Sequence, residues 1–263
     1  MLNDILHRVK RTGLVCCVLM FSTSVLAANW SDTEIQALSG SGFHEPFNAR
    51  SVAKNTITLQ NASGFDWGST YAFVDYLKSD AADRNADEFY GEVYAYPSLG
   101  RLTGSDLKAG LLKDVSLTFG VNTGEKSTGA NPRVLLAGLT FNLDLPQFSF
   151  FDIGVNAYLD RSQFKGQSAT CQGDGVQITP AWQLPFHVGR LSMSFEGFVD
   201  YTTAYGGCVA HTLTQPQVRV DIGDLFGTPK RFYAGIEYQY WQNKFGIQGL
   251  HDEVPQALFV WKF

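Results

Sequence analysis

The chain has 263 residues with a formal net charge of −5, a length that fits one large domain or two small ones. Charged residues make up 17% and aromatic residues 14%, whereas roughly a quarter of the residues of a soluble domain are charged. This composition argues against a soluble enzyme. The acidic balance, without a basic patch, argues against binding of nucleic acid. Apolar runs long enough for a membrane helix are missing from the sequence.

The first residues have the features of a secretory signal peptide. A basic segment at residues 8–11 precedes an apolar stretch at residues 13–21, which is too short to span a bilayer. Small side chains then occupy the positions that precede a signal cleavage site. We expect cleavage after Ala27, with Ala28 as the alternative, so that residues 1–27 form the signal peptide.

Segments in which apolar and polar residues alternate recur along the rest of the chain. In residues 113–122, for example, Leu117 and Phe119 alternate with Thr118 and Gly120. A tilted strand needs roughly 9–11 residues to cross the hydrocarbon of a membrane. One face of these segments is apolar, and the other carries acids and large aromatic side chains. This division predicts a lipid-facing exterior and a hydrated interior.

The alternation predicts one all-β domain over residues 28–263, a transmembrane antiparallel β-barrel of about twelve strands with a polar lumen. Bacterial single-chain barrels have an even number of strands. The strands are predicted near residues 31–40, 55–64, 69–77, 87–97, 112–122, 133–144, 149–161, 175–183, 190–203, 211–223, 231–242 and 255–263. The predicted lipid-facing side chains include Val115, Leu117, Phe119, Ile153, Val155, Leu191, Met193 and Phe195.

The connectors between these strands differ in character. Those at residues 65–68, 145–148 and 184–188 are compact, whereas those between them, such as residues 122–132 and 161–174, are polar and often longer. Short turns on one side of the membrane and longer loops on the other are typical of outer-membrane barrels. We therefore predict that the N-terminus is periplasmic and that the longer loops are extracellular.

The last segment is the most specific feature. Phe259, Trp261 and Phe263 share one face of an alternating strand that ends the chain, as expected of an aromatic girdle at a membrane interface. A terminal aromatic residue in such a strand also predicts recognition by the barrel-assembly machinery. The expected location is the outer membrane of a Gram-negative cell.

Several short stretches of the sequence resemble the nucleoside-specific channel-forming porins of the Tsx/OmpK type. The best stretch is residues 238–247 (YQYWQNKFGI) followed by residues 252–257 (DEVPQA). Further matching stretches are residues 30–33, 45–48, 62–64, 73–75, 89–92, 99–115, 179–182 and 214–217. Each motif alone is weak, but their order extends from about residue 30 to the C-terminus.

The resemblance implies a monomeric twelve-stranded barrel with a narrow pore for nucleosides or similar small polar solutes. It also implies that phages or bacteriocins bind the exposed loops. The chain departs from the family pattern at residues 93–97, where a Trp-Tyr-Pro-Arg run is expected and the arginine is missing. The loop at residues 162–174 contains an unexpected cysteine, Cys171.

The polar face of the strands supplies the candidate pore-lining residues. A nucleoside has an apolar base that can stack on aromatic rings and a ribose whose hydroxyls can donate to carboxylates and amides. An acidic lumen would also repel phosphate and so favour nucleosides over nucleotides. The candidates are Tyr71, Phe73, Asp75, Tyr90, Glu92, Tyr94, Asn156, Tyr158, Glu196, Asp200, Arg219 and Trp241. For any single residue the alternative is that the ring fills a narrow barrel or that the acid pairs with an arginine.

Other functions stay open at this point. Some membrane enzymes are also barrels, but they need a histidine beside a nucleophile. Here His44, His187, His211 and His251 all fall near turns or strand ends without such a motif. We expect no enzyme activity, no metal and no cofactor. A general porin, a porin for other solutes, or a receptor barrel for phages and bacteriocins is the remaining alternative.

Two cysteines, Cys171 and Cys208, remain after signal cleavage. With twelve strands and a periplasmic N-terminus, both fall in extracellular loops that are neighbours around the barrel. The cell envelope is oxidising, so we predict a disulfide between them.

Overall fold

The computed structural model of the protein describes residues 27–164 and 171–263. The predicted signal peptide lies outside this range except for its last residue. Within the described range, no helix has the length and apolar character needed to cross a membrane.

Twelve antiparallel strands form one closed sheet. Each strand pairs with its neighbours along the chain, and the first pairs with the last, with Ala37 opposite Phe259. The strands are β1 (Trp30–Glu45), β2 (Asn48–Phe65), β3 (Gly68–Ser79), β4 (Asp87–Pro97), β5 (Leu112–Lys126), β6 (Arg133–Leu143), β7 (Phe150–Asp160), β8 (Gly173–Val188), β9 (Leu191–Thr202), β10 (His211–Thr214 and Gln217–Asp221), β11 (Phe232–Gln242) and β12 (Asp252–Lys262). This confirms the predicted twelve-stranded barrel.

A few short elements lie between the strands. One helical turn, α1 (Leu99–Thr103), follows β4 and begins after the N-cap Ser98. Ala81–Asp83, Gly223–Phe226 and Lys244–Gly246 form 3₁₀ turns. Ala130–Asn131 pairs with Gln163–Phe164 in a small ribbon that the sequence does not predict.

The connectors define two ends of the barrel. The described N-terminal residues and Phe263 lie at one end, which we term the terminus end, together with the connectors at residues 66–67, 98–111, 144–149, 189–190 and 222–231. The other end, which we term the loop end, carries the connectors at residues 46–47, 80–86, 127–132, 161–172, 203–210 and 243–251.

The outer face of the barrel is apolar. On β5, Phe119 is 54% exposed, while its neighbour Thr118 is 1% exposed and points inward. A soluble protein rarely leaves so many large apolar side chains open, whereas a lipid-facing surface needs them. Exposed apolar and aromatic side chains from the strands include Ile57, Leu59, Val74, Tyr76, Phe89, Val93, Val121, Leu135, Val155, Val176, Leu191, Tyr201, Ile236, Phe259 and Trp261. Exposure alternates in this way along β5 and in the middle of β7, which confirms the outward faces predicted there. On β9 the outward phase of Leu191, Met193 and Phe195 follows from the inward contacts of Glu196 with Arg219 and of Asp200 with Thr179.

The first hairpin is much longer than predicted. Residues 41–54 were expected to form a loop, but β1 continues to Glu45 and β2 begins at Asn48. Gly42 and Pro46 in this stretch favour the end of a strand. In the structure Gly42 instead lies within a bulge of the pairing, which lets the strand continue past it.

Two other strand boundaries also differ from the prediction. Residues 184–188 were expected to form a compact turn because of Pro185, but they continue β8, and the chain reverses at Gly189 with a φ of +60°. The strand predicted over residues 211–223 is broken between Thr214 and Gln217. Pro216 lies in this break, and proline has no amide hydrogen to extend the ladder.

Candidate functional site

All twelve predicted pore-lining residues lie on the inner face of the barrel. The pleat places alternate residues of each strand inside, and hydrogen bonds between these inward side chains connect neighbouring and distant strands. The predicted lining residues on β3 and β4 are cross-strand neighbours, since Tyr71 is opposite Tyr94 and Asp75 is opposite Tyr90.

The rings on β3 and β4 form a continuous aromatic band. The ring centroid of Phe73 is 6.0 Å from that of Tyr71 and 5.9 Å from that of Tyr90. Farther along β4, Tyr94 and Tyr96 are stacked with centroids 5.9 Å apart. Separations of 4.5–7 Å are those of interacting aromatic pairs. We call these five residues the aromatic band.

Carboxylates lie among these rings and are held by neutral donors. Glu92 accepts hydrogen bonds from the Tyr90 hydroxyl and from Nδ2 of Asn122, the latter at 2.9 Å. The Tyr94 hydroxyl donates to Oδ1 of the same asparagine at 3.0 Å. Because each group fixes its neighbour, the rings and the carboxylate have defined positions. Asp75 accepts from the hydroxyl of Thr58 at 2.5 Å.

Asp200 lies on another part of the wall, on β9. Its carboxylate accepts from the hydroxyl of Thr179 at 2.5 Å and from Nε2 of Gln177 at 3.1 Å. Both donors come from β8, the adjacent strand. The arrangement repeats that of Asp75, a carboxylate held by a neighbouring strand through neutral donors.

Amide side chains cover the wall formed by β1, β10, β11 and β12. Glu237 accepts from Nε2 of Gln217 at 2.6 Å and from Nε2 of Gln256 at 2.8 Å. Gln217 also donates to Oε1 of Gln36 at 3.2 Å, which links β10 to β1. The three glutamines were not among the predicted lining residues, although they occupy the inward phase of their strands. This wall offers hydrogen-bonding groups where the aromatic band offers ring faces.

Arg219, on β10, connects this wall to an acidic side chain on β9. Its guanidinium binds the carboxylate of Glu34 on β1 and, at 2.8 Å, that of Glu196 on β9. The sequence predicted Arg219 and Glu196 as lining residues and left pairing between them open. The structure brings the two together and adds Glu34, so these side chains form a charge network.

Asn156 and Tyr158 lie on β7 toward the loop end. The ring of Tyr158 is 5.5 Å from that of Tyr205 and 6.3 Å from that of His211. Tyr205 belongs to the connector at residues 203–210 and donates from its hydroxyl to Asp160 at 2.6 Å. Burial raises the pKa of Tyr205 above its usual range, so this tyrosine stays protonated and acts as a donor.

Trp241 lies near the end of β11 and is separate from the aromatic band. Its ring is 4.6 Å from that of Phe245 in the following connector, and Nζ of Lys244 lies 5.3 Å from its centroid. Cys171 and Cys208 form a disulfide with Cα atoms 5.0 Å apart, which is the pairing expected from the sequence. The cysteines belong to adjacent loop-end connectors.

A cluster of charges at the loop end was not predicted. The carboxylate of Glu45 is surrounded by Lys54, Lys126 and Lys244, with N–O distances of 2.7, 2.5 and 3.2 Å. The predicted strand boundaries left Glu45 in a loop, so no face could be assigned to it. Within the described residues, no three His, Cys, Asp or Glu side chains are grouped to hold a metal ion.

The closed antiparallel sheet and its apolar exterior define a transmembrane β-barrel of the outer-membrane type. The family model described as "Nucleoside-specific channel-forming protein, Tsx" matches residues 29–257, and the chain belongs to this family. Such proteins are channels, which are not an enzyme class. Among curated protein sequences, none matches this chain.

The chain is similar to several solved structures. The NanC porin is 11% identical to this chain and has a TM-score of 0.51, with 88% of this chain and 100% of that chain covered. The KdgM porin in complex with disordered oligogalacturonate is 8% identical with a TM-score of 0.45, and the covered shares are 88% and 99%. The translocator domain of the autotransporter NalP from Neisseria meningitidis is 12% identical with a TM-score of 0.45, and the shares are 99% and 96%. Family and fold together identify an outer-membrane channel.

Proposed function

We propose that this protein lets nucleosides diffuse across the outer membrane by binding them weakly along the barrel interior. The observation that carries the proposal is the aromatic band on β3 and β4, in which ring faces alternate with the carboxylates of Asp75 and Glu92. The family description supports the same solute class. A general diffusion pore does not need to bind its solutes, so it does not require aromatic rings next to carboxylates.

The aromatic band suits the base of a nucleoside. Phe73 and Tyr90 present rings inside the barrel, and stacking of a base on a ring contributes about 1–3 kcal/mol with little preference among bases. Several rings in series allow a base to move from one contact to the next. Conduction requires this kind of repeated weak binding, since a single tight site would hold the solute.

The carboxylates and amides suit the ribose. Glu92 and Asp75 are acceptors with lone pairs beyond those used by Tyr90, Asn122 and Thr58. They can therefore accept from ribose hydroxyls while a base lies on the adjacent rings. Carboxylates also repel phosphate groups, which favours nucleosides over nucleotides.

Flux through the channel tests the proposal. Liposomes that contain the protein should take up labelled uridine faster than glucose, relative to liposomes without protein. Tyr90→Leu removes a ring from the aromatic band and should slow uridine uptake. Tyr76→Leu is the matched control, because Tyr76 lies on β3 and is 38% exposed on the outer face. Equal uptake of uridine and glucose by the unaltered protein would favour the general-porin alternative.

Three proposals about partners accompany this one and rest on the sequence. They are a monomeric state, assembly through the C-terminal strand, and binding of phages or bacteriocins at the loop end. The terminal side chains support the second, since Phe259, Trp261 and Phe263 lie on the outer face and are 41–57% exposed.

A further inference from the structure

The first hairpin bends near the loop end. The pairing of β1 and β2 shifts between Ser41 and Phe43 and again between Phe43 and Glu45. Gly42 lies in the first shift with a φ of +113°, a conformation that is readily available to glycine alone. Bulges bend a strand and increase its twist. The last part of the hairpin is therefore not a straight continuation of the barrel wall.

Beyond the bend, the hairpin packs on the inside of the barrel. Phe43, Val52 and Val254 form a fully buried apolar cluster, with Ala82 packed against it. Nδ2 of Asn48 donates to the carbonyl oxygen of Ala82 at 3.0 Å. The hairpin is thus attached to β12 on one side and to the connector at residues 80–86 on the other.

Glu45, the last residue of β1, holds three lysines from different parts of the chain. Lys54 comes from β2, Lys126 from the end of β5, and Lys244 from the connector between β11 and β12. All four side chains are buried. The carboxylate of Glu45 therefore connects β1 with β2, with the end of β5 and with the connector that follows β11.

The contact between Glu45 and Lys126 extends across the mouth. β1 and β5 are separated by three strands in the sheet. At about 4.8 Å per strand, their separation along the wall is about 19 Å, which a glutamate and a lysine side chain cannot bridge together. The end of the hairpin must leave the wall and lie over the interior for this contact to form.

Each lysine also has a second carboxylate. Lys54 lies 3.3 Å from Glu88, Lys126 lies 2.7 Å from Asp83, and Lys244 lies 2.8 Å from Asp252. Separating one partner from a buried ion pair leaves an uncompensated charge and is strongly unfavourable. The ion pairs of this cluster should therefore stay intact while a solute passes.

We infer that residues 43–52 form a fixed constriction at the loop end, held in place by Glu45, and that this constriction sets the largest solute that enters. In this role Glu45 is a specificity-determining residue that acts by positioning the hairpin. The inference requires a channel but does not require that the solute is a nucleoside.

Glu45→Gln tests this inference by removing the charge that the three lysines share. Each lysine would keep its second carboxylate, but the end of the hairpin would lose the charge that binds it to them and should move off the mouth. We expect single-channel conductance in potassium chloride to rise about twofold, since the narrowest part of a pore controls conduction. Larger uncharged polyethylene glycols should enter, and the reversal potential in a salt gradient should shift toward anion selectivity.

Glu253→Gln is the matched control, because this exposed neighbour of Asp252 carries the same charge at the same end but points outward. If conductance and polymer exclusion are the same in Glu45→Gln and in this control, the inference is wrong. Migration of unheated protein on a gel shows whether each barrel has folded.

A second variant decides the matter if Glu45→Gln does not fold. Lys126→Ala removes the side chain that reaches across the mouth, while Glu45 keeps Lys54 and Lys244 as partners. The same polymers should then enter a folded barrel. An unchanged exclusion limit in this variant would also overturn the inference.

Discussion

Arg219 and Glu34 form a two-pronged ion pair across two intervening strands. Nη1 and Nη2 of the arginine lie 3.1 and 3.0 Å from the two carboxylate oxygens of the glutamate. The strands between them are β11 and β12. This geometry joins both sides of the seam at which the first and last strands close the barrel.

Arg219→Gln should lower the free energy of unfolding by about 3–5 kcal/mol, because the buried Glu34 would keep only Lys262 as a cationic partner and the partly buried Glu196 would lose Arg219. Urea unfolding of protein in liposomes, followed by tryptophan fluorescence, measures the change. Arg190→Gln alters an exposed arginine in a turn at the terminus end and should change little. Equal stability of the two variants would show that the ion pair contributes nothing.

The Cys171–Cys208 disulfide should stabilise the folded barrel by limiting the unfolded chain. The two residues are 37 positions apart, and closure of a loop of that length is worth about 4 kcal/mol in the chain-entropy model. A reductant should therefore lower the urea midpoint of the natural protein. The double variant Cys171→Ser/Cys208→Ser should unfold at that lower midpoint whether or not reductant is present. A midpoint that does not respond to reductant in the natural protein would contradict this expectation.

Phe119→Arg should destabilise the protein in a bilayer by about 2–4 kcal/mol, the cost of a lipid-facing arginine near the midplane. Phe119 lies in the middle of β5 on the outer face. Ser127→Arg, placed just beyond that strand in a loop-end connector, is the control and should have a much smaller effect. Similar unfolding energies for both variants would mean that Phe119 does not face lipid.

Glu92→Gln should weaken the binding of uridine more than that of uracil, because the carboxylate is proposed to accept from ribose hydroxyls and uracil has none. Block of ion current by each compound measures the two affinities. Glu125→Gln, on the outward phase of β5, serves as the control. An equal loss of affinity for both compounds would assign Glu92 to the base or to the shape of the pore.

The strand number and the faces of the strands could be predicted because they depend on local sequence. A two-residue period assigns Phe119 outward and Thr118 inward without knowledge of any distant residue. The same rule placed Tyr90 and Glu92 on the inner face. Proline and glycine misled the prediction at Pro185 and Gly42, since a barrel strand can continue through a bulge or a missing amide hydrogen.

Contacts between distant strands could not be predicted in this way. Glu45 and Lys126 are far apart in sequence, and their contact depends on the bend of the first hairpin. One signal was available, since Lys54 has the same phase as the inward residues Thr56 and Thr58. A lysine buried inside the barrel needs a carboxylate partner, so an inward Lys54 could have directed attention to nearby acids such as Glu45.

The most direct test of the proposed function is the ion current through the purified protein in a planar bilayer, titrated with adenosine, uridine and glucose. Nucleosides that pass by stacking on the aromatic band should occupy the pore and reduce the current at concentrations at which glucose has no effect. Tyr90→Leu should weaken this block by about 1–3 kcal/mol, while the current without solute stays level or rises. If adenosine and uridine change the current no more than glucose does, the protein is not selective for nucleosides.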